Sequence, residues 1–392
     1  MAGTDRQATA GPGQPHEGHP GRGGDVDAVP TGAVPTDAVP TQGVPTEGVP
    51  TAVPTQGVPS EGVPTDVVPT DVDAADVPLA ADVRDGDGED EFRFLPEEMT
   101  ELGVPGPVPV VRRVTADDGA GRRVRGLRWG TGAPGVVLWH GAGLNAHTFD
   151  ETVLLLSARV APGRPGGIGA LAVDLPGHGE SDWREDRDYS PPTLAAAAEG
   201  LLREQAPEPA VHLGHSLGGL VALATAARSP ERVRAVVLVD VSPGLEVGDA
   251  RQVRDFLAGP DSWSSRSEIV DRAAAFGFGR SRRALERGVE HNTVVRADGR
   301  VAFRHHLANL GLDEAVSGGD FPALWPVVER LTVPVVLVRG ETGFLTDAAV
   351  EEFGRRVPTA TVVTVPTGHN VQEQDPAALA EVLASLVRAP AA

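Results

Sequence analysis

The sequence of 392 residues contains neither cysteine nor lysine. Without cysteine, the chain has no disulfide, no thiol nucleophile and no zinc site built from thiolates. Without lysine, it has no Walker-type phosphate loop and cannot form a Schiff base through a lysine amine. The lack of cysteine fits a reducing compartment, so we expect a cytoplasmic location.

Positive charge is also scarce, because 34 arginines face 55 acidic residues and the formal net charge is −21. Phosphate contacts need clustered cations, so we expect no nucleic-acid partner. The first ten residues are polar and lack the apolar segment of a secretory signal. No apolar run approaches the roughly 18 residues that a membrane span requires, and we expect none.

Residues 1–91 contain no phenylalanine, tyrosine or tryptophan. A Val-Pro-Thr repeat runs through this segment from Val29 to Thr70. Each proline removes a backbone donor and favours extended geometry in its neighbour. With so little apolar volume the segment cannot offset its ordering entropy, so we predict a disordered tail. A solvated extension is the simpler interpretation, and a ligand for a binding partner is the alternative.

From Phe92 onwards, apolar runs alternate with helical patterns, which is typical of an α/β fold. We predict a mostly parallel eight-stranded sheet with helices on both faces, after a short arm at Phe92–Met99. The core should comprise residues 92–243 and 327–392. Between them, residues 244–326 are polar and helical in pattern, and we predict a helical cap.

The segment Gly214-His-Ser-Leu-Gly218 joins an apolar strand pattern, Ala210–Leu213, to a helical pattern that ends at Arg228. Strand, G-x-S-x-G and helix in this order predict a nucleophile elbow. The turn is tight enough that only glycines fit beside Ser216. The serine hydroxyl should therefore stand clear of the sheet, next to the unpaired N–H groups of a helix N-terminus.

Four motifs in this order resemble the α/β-hydrolase superfamily with a helical cap. They are His140-Gly141, Asp174-Leu-Pro-Gly-His-Gly-Glu-Ser181, the elbow around Ser216, and Gly368-His369. The resemblance covers residues 108–388 and implies the fold more closely than the substrate. Dehalogenases and epoxide hydrolases of the superfamily carry an aspartate at the elbow, so a serine there argues against both.

The resemblance implies a catalytic triad of Ser216, His369 and an acid. His369 lies in the loop after the last strand, which is the position of the general base in the superfamily. Relatives place the acid after the seventh strand, where this chain has Gly343 and Phe344. Some members take it from the end of the sixth strand, where Asp240 stands, and we favour Asp240. Glu341 and Asp347 remain alternatives.

The oxyanion hole should consist of the backbone N–H groups of Ala142 and Leu217. We expect four aromatic side chains of the cap to form an apolar wall above Ser216: Trp263, Phe276, Phe278 and Trp325. The predicted substrate pocket comprises His140, Gly143, His215, Trp263, Phe276 and Trp325. Three histidines of the cap region, His291, His305 and His306, lack the spacing of metal ligands, so we expect no metal site.

The combined prediction is a serine hydrolase that cleaves a carboxylic ester or related acyl bond of a small molecule through an acyl-enzyme. No cofactor is implied. A hydrolase of C–C bonds would use the same triad, and a non-catalytic binding protein on this scaffold is the alternative from another functional class. The sequence does not indicate an oligomeric state.

Overall fold

The computed structural model describes residues 90–163, 167–245, 251–257, 259–310 and 320–388. The predicted tail lies outside the described residues except for its last two positions, and its disorder remains a prediction. Within the described part of the chain, no helix combines the length and the apolar character that crossing a bilayer requires.

Eight strands form one sheet in the order β1-β2-β4-β3-β5-β6-β9-β10. Strands β1 and β2 form an antiparallel edge, and β2 also runs antiparallel to β4, whereas the remaining pairs are parallel. The predicted sheet is therefore confirmed. The strands span Val111–Asp117 (β1), Arg123–Trp129 (β2), Val136–Trp139 (β3), Ala170–Asp174 (β4), Ala210–His215 (β5), Val233–Val239 (β6), Val335–Gly340 (β9) and Thr361–Val365 (β10).

The central strands are apolar on both faces because helices cover the sheet on each side. In β3, Val137 and Trp139 belong to one buried cluster, and Val136 and Leu138 belong to the other. Alternate side chains of a strand point to opposite faces, so β3 separates two hydrophobic cores. The core helices are α2 (Asp150–Val160), α3 (Pro191–Gln205), α4 (Leu217–Arg228), α10 (Asp347–Arg356), α11 (Val371–Gln374) and α12 (Pro376–Arg388).

The segment between β6 and β9 departs from the sheet-and-helix alternation, and residues 244–326, which we predicted as a cap, lie within it. It is not purely helical, because β7 (Thr293–Val295) pairs antiparallel with β8 (Val301–Phe303). Parts of the predicted cap, residues 246–250, 258 and 311–319, lie outside the described residues. The helices of this segment are α5 (Arg251–Leu257), α6 (Arg266–Ala275), α7 (Arg282–His291), α8 (Leu307–Leu310) and α9 (Trp325–Glu329).

The predicted arm forms a helix, α1 (Leu95–Glu101), with a proline at its start. Leu95 and Met99 are buried in the core cluster that α2 and α12 cover. On its other side, α1 presents glutamates to the cap, and Glu101 contacts Arg287 of α7 at 2.8 Å. The arm is therefore packed between the core and the cap.

The buried face of α1 gives the first prediction. Leu95→Ala should lower the free energy of unfolding by about 2–5 kcal/mol, because it removes a fully buried side chain. Deletion of residues 1–89 should leave the melting temperature unchanged, because the Val-Pro-Thr repeat segment contains no aromatic residue and too little apolar volume to build a core. Thermal and urea unfolding of both variants measure this. Equal destabilisation by the two changes would contradict the assignment of the domain boundary.

Candidate active site

Ser216 lies at the junction of β5 and α4, with a backbone φ of 51° and ψ of −124°. This left-handed conformation is strained for a serine. A Cβ atom on Gly214 would overlap the Gly218 carbonyl, and one on Gly218 would overlap the Trp139 carbonyl. The Ser216 amide donates to the Val239 carbonyl at 3.0 Å, which ties the turn to β6. The sequence pattern therefore folds as a nucleophile elbow.

His369 and Asp240 form a buried pair beside this turn. The distance from His369 Nδ1 to Asp240 Oδ2 is 2.8 Å, and Asp240 has no exposed surface. The carboxylate also accepts hydrogen bonds from the amides of Gly340, at 3.2 Å, and Phe344, at 2.7 Å. A carboxylate held in this way accepts the proton on Nδ1, so the Nε2 lone pair of His369 is available as a base.

The two alternative acids, Glu341 and Asp347, lie at the protein surface. Asp347 is 85% exposed and pairs with Arg339, and Glu341 is exposed. At the position where relatives carry the acid, Gly343 leaves space for the Asp240 carboxylate, because a Cβ atom there would overlap it. The next residue, Phe344, stacks on the His369 ring with 3.5 Å between centroids and 12° between planes.

The loop after β3 approaches the elbow from the other side. His140 is fully buried and donates from Nδ1 to the Gly141 carbonyl at 2.8 Å. Its Nε2 accepts from the Leu175 amide at 3.0 Å, so the ring is neutral, and burial accordingly lowers the pKa of His140. Asp174 accepts from the Ala146 amide at 2.7 Å. These bonds fix the loop that carries Ala142 beside Ser216.

His215, the variable residue of the elbow motif, links the elbow to the loop of His369. Its Nε2 donates to the His369 carbonyl at 3.0 Å, and the two rings lie 4.5 Å apart. Burial holds the pKa of His215 well below its ordinary value, so the ring stays neutral. His215 therefore holds the backbone of His369 in place.

Ser216 and His369 face a cavity of about 140 Å³. Of the predicted site residues, it is lined by Ser216, His369, His215, Ala142 and Gly143. The cap contributes apolar side chains to the lining, among them Val253, Phe256, Leu257, Phe278 and Phe303. Leu217 begins α4 directly after the nucleophile position, where an N–H group has no partner within the helix.

Comparison with known proteins decides the family. Residues 136–382 match the model of the alpha/beta hydrolase family. The chain belongs to the alpha/beta hydrolase family. It is 39% identical to Esterase Rv0045c of Mycobacterium tuberculosis over 305 residues, which is 76% of this chain and 95% of the relative. A solved structure of that esterase has a TM-score of 0.66 and 36% identity, and the match covers 77% of this chain and all of the other.

Another relative of this hydrolase is the 2-(acetamidomethylene)succinate hydrolase of Mesorhizobium japonicum. The two chains are 29% identical over 263 residues, which is 65% of this chain and 88% of the relative. A solved structure of an E-2-(acetamidomethylene)succinate hydrolase has a TM-score of 0.60 and 25% identity, over 72% of this chain and all of the other.

Four predicted pocket residues of the hydrolase do not line the cavity. His140 lies behind the Gly141 loop, as described above. Trp263 packs in a separate cluster of the cap and pairs with Val301 across a short bridge. Phe276 packs edge-on against Phe256, which lines the cavity in its place. Trp325 packs instead on Phe353 of α10, with 5.9 Å between the rings.

The residues that sequence reasoning missed are Phe256 and Phe303 of the cap and a polar group that includes Glu98 of the arm and Gln372 of α11. Phe256 and Phe303 stand in short elements without a clear apolar period, so nothing in the sequence set them apart from Phe276. Glu98 belongs to an acidic helix that precedes the sheet, and no motif connects it to the elbow.

A second polar cluster has potential metal ligands, because ligand atoms of His147, Asp150 and His291 lie within 4.8 Å of one another. Both ring nitrogens of His147 are already bound, to Asp150 at 2.7 Å and to Glu91 at 3.1 Å. Burial alone would lower the pKa of His147, but the charge and hydrogen bond of Asp150 and the hydrogen bond of Glu91 raise it to about 9. His147 is thus held between the carboxyl groups of Asp150 and Glu91, burial raises the pKa of Asp150, and the His291 ring stacks on His147 with 3.8 Å between centroids.

The contact between Gly343 and Asp240 gives a structural prediction. Gly343→Ala should lower the free energy of unfolding by about 1–3 kcal/mol, because the added Cβ atom forces the carboxylate out of its place. The matched control is Gly354→Ala in α10, where a Cβ atom meets nothing within 4 Å. Urea unfolding of both variants measures the difference. If Gly343→Ala were as stable as Gly354→Ala, the tight packing around Asp240 would be wrong.

Proposed function

We propose that this hydrolase is a serine esterase in which Ser216 is the nucleophile, His369 the general base and Asp240 the acid. The observation that carries the proposal is the 2.8 Å bond between His369 and Asp240 in the wall of the cavity that Ser216 also lines. An activated serine needs a base within reach and a group that orients the base. The strained backbone of Ser216 supports the nucleophile role.

In the proposed acylation, Ser216 Oγ attacks the carbonyl carbon of the ester while its proton passes to His369 Nε2. The carbonyl oxygen becomes an oxyanion, which the N–H groups of Ala142 and Leu217 stabilise. Such donors are typically worth about 3–4 kcal/mol each in the transition state. The C–O bond to the alcohol then breaks, and the alcohol leaves with the proton from His369.

Deacylation repeats these steps with water. His369 takes a proton from a water molecule, the resulting hydroxide attacks the acyl-enzyme, and Ser216 leaves with the proton returned from His369. One ester and one water give one acid and one alcohol. The imidazolium that forms in both halves is stabilised by the Asp240 carboxylate, which stays ionised.

The ester is favoured over the alternatives by similarity, because the relative that is 39% identical over 76% of this chain is named an esterase. A C–C bond hydrolase would use the same residues, and a binding protein would use the same cavity. Hydrolysis of a p-nitrophenyl ester by the wild type would distinguish an enzyme from a non-catalytic binding protein. A cavity of about 140 Å³ supports a small-molecule substrate, and the cytoplasmic location expected from the sequence stays a prediction.

The role of the acid is tested by Asp240→Asn. The amide carries no charge to stabilise the imidazolium, and its NH₂ group must face the N–H of either His369 or Gly340. The corresponding change in serine proteases lowers kcat about 10⁴-fold, and we expect a loss of at least about 100-fold here. The measurement is kcat on a p-nitrophenyl ester, with circular dichroism as the control for folding.

Glu341→Gln and Asp347→Asn are the matched controls. Glu341 is exposed, and the Asp347 side chain pairs with Arg339. Because neither side chain hydrogen-bonds to His369 or Asp240 in the described part of the chain, each variant should keep kcat within about threefold of the wild type. A large loss in either control, with normal turnover in Asp240→Asn, would move the acid to the loop after β9. Normal turnover in all three would contradict the triad.

A further inference from the structure

One part of the cavity lining is polar and takes no part in the proposed triad. We call it the polar wall, and it consists of Glu98, Glu151, Arg287, Gln372 and Glu373. These residues come from the arm helix α1, the core helices α2 and α11, and the cap helix α7. The substrate cavity is therefore apolar where the cap phenylalanines line it and hydrogen-bonding where the polar wall does.

Two side chains of the polar wall are buried with an unused polar atom. Glu98 is 6% exposed, and within the described residues its Oε2 atom has no hydrogen-bond partner. Gln372 is 1% exposed and donates from Nε2 to Thr148 Oγ1 at 3.3 Å, but its Oε1 atom is likewise without a partner there. Buried polar atoms in proteins are almost always hydrogen-bonded, so these two atoms are available to a polar group of a ligand in the cavity.

Two side chains of the cavity lining carry positive charge, Arg287 of the polar wall and His147, and carboxyl groups surround both. Arg287 is 2% exposed and contacts four glutamates, at 3.2 Å from Glu97, Glu98 and Glu151 and at 2.8 Å from Glu101. One guanidinium among four carboxyl groups has no positive charge left to offer an anionic ligand.

The remaining carboxyl groups also disfavour added negative charge. Burial, with the charges of Asp150 and Glu151, raises the pKa of Glu98 to about 8. Burial also raises the pKa values of Glu151 and Glu373. The burial that opposes ionisation of these groups would also oppose the burial of a substrate carboxylate beside them.

We propose that Glu98 and Gln372 are specificity-determining residues that select esters with a hydrogen-bond donor, and no carboxylate, on the part of the substrate that contacts the polar wall. A hydroxyl, amide or ammonium group at that position would donate a hydrogen bond to Gln372 Oε1. The same substrate group would make a second hydrogen bond with the Glu98 carboxyl group. The inference rests on the proposed esterase function and names its substrate class.

The test compares three p-nitrophenyl esters of equal chain length that end in a methyl, a hydroxyl or a carboxylate group. The wild type should show the highest kcat/KM for the hydroxyl end and the lowest for the carboxylate end. Giving a buried polar group a hydrogen-bond partner, or leaving it without one, changes binding about tenfold. We therefore expect kcat/KM for the hydroxyl-ended and carboxylate-ended esters to differ by at least about tenfold. The same three ends on the alcohol side of an ester form a second set, which shows on which side of the ester bond the polar wall lies.

Variants connect the preference to its residues. Glu98→Gln removes the negative charge that Glu98 gains as the pH rises through its pKa of about 8. At about pH 9 it should therefore raise the relative rate on the carboxylate-ended ester at least about threefold. Gln372→Leu removes the acceptor and should abolish the preference for hydroxyl over methyl. The control is Glu97→Gln, one residue away on the same helix, because Glu97 binds Arg283 and Arg287 but does not line the cavity.

Equal rates on the three ends in both sets would overturn the inference, and so would a change of preference in Glu97→Gln as large as that in Glu98→Gln. These outcomes are distinct from failure of the proposed function. If Ser216→Ala kept full activity on every ester, the triad would be wrong. If Ser216→Ala lost activity while the wild type showed no preference, the triad would stand and the role of the polar wall would fall.

Discussion

The hydrogen bond from His369 to Asp240 is the contact on which the site depends. Asp240 follows β6, one of its two amide donors, Gly340, ends β9, and His369 follows β10. These three strands are neighbours and parallel, so their carboxyl ends meet at one edge of the sheet, where open α/β sheets bind ligands. The packing of the central strands thus sets the distance between two side chains that lie far apart in the sequence.

Glycine at position 343 makes this arrangement possible. In relatives with the acid after the seventh strand, that loop supplies a carboxylate, whereas here it gives space and an N–H donor to a carboxylate from the sixth strand. The ring of Phe344 then covers the face of His369. The loop after β9 therefore supports the Asp240 carboxylate with an amide and with the space at Gly343.

Most of the sheet could be predicted from the sequence, because buried parallel strands appear as continuous apolar runs. The elbow was equally clear, since its glycines are required by backbone contacts. Asp240 was favoured over Glu341 and Asp347 by its place after β6, and the structure places it against His369.

The side chains of the cap that line the cavity were harder to predict. Trp263, Phe276 and Trp325 were chosen as scattered aromatics, but packing within the cap and against α10 turns them away from the cavity. The β7–β8 hairpin was missed because strands of three residues show no usable alternation. Glu98 could not be found because its contacts with Arg287 join distant parts of the chain.

The central claim is that Ser216 is the nucleophile, and covalent labelling tests it most directly. Because the chain has no lysine, trypsin cleaves it only at arginine, and the peptide 204–228 contains Ser216 as its only serine. After reaction with a fluorophosphonate, mass spectrometry should find a single label on this peptide, and Ser216→Ala should remain unlabelled. A label on any other peptide, or undiminished labelling of Ser216→Ala, would contradict the account.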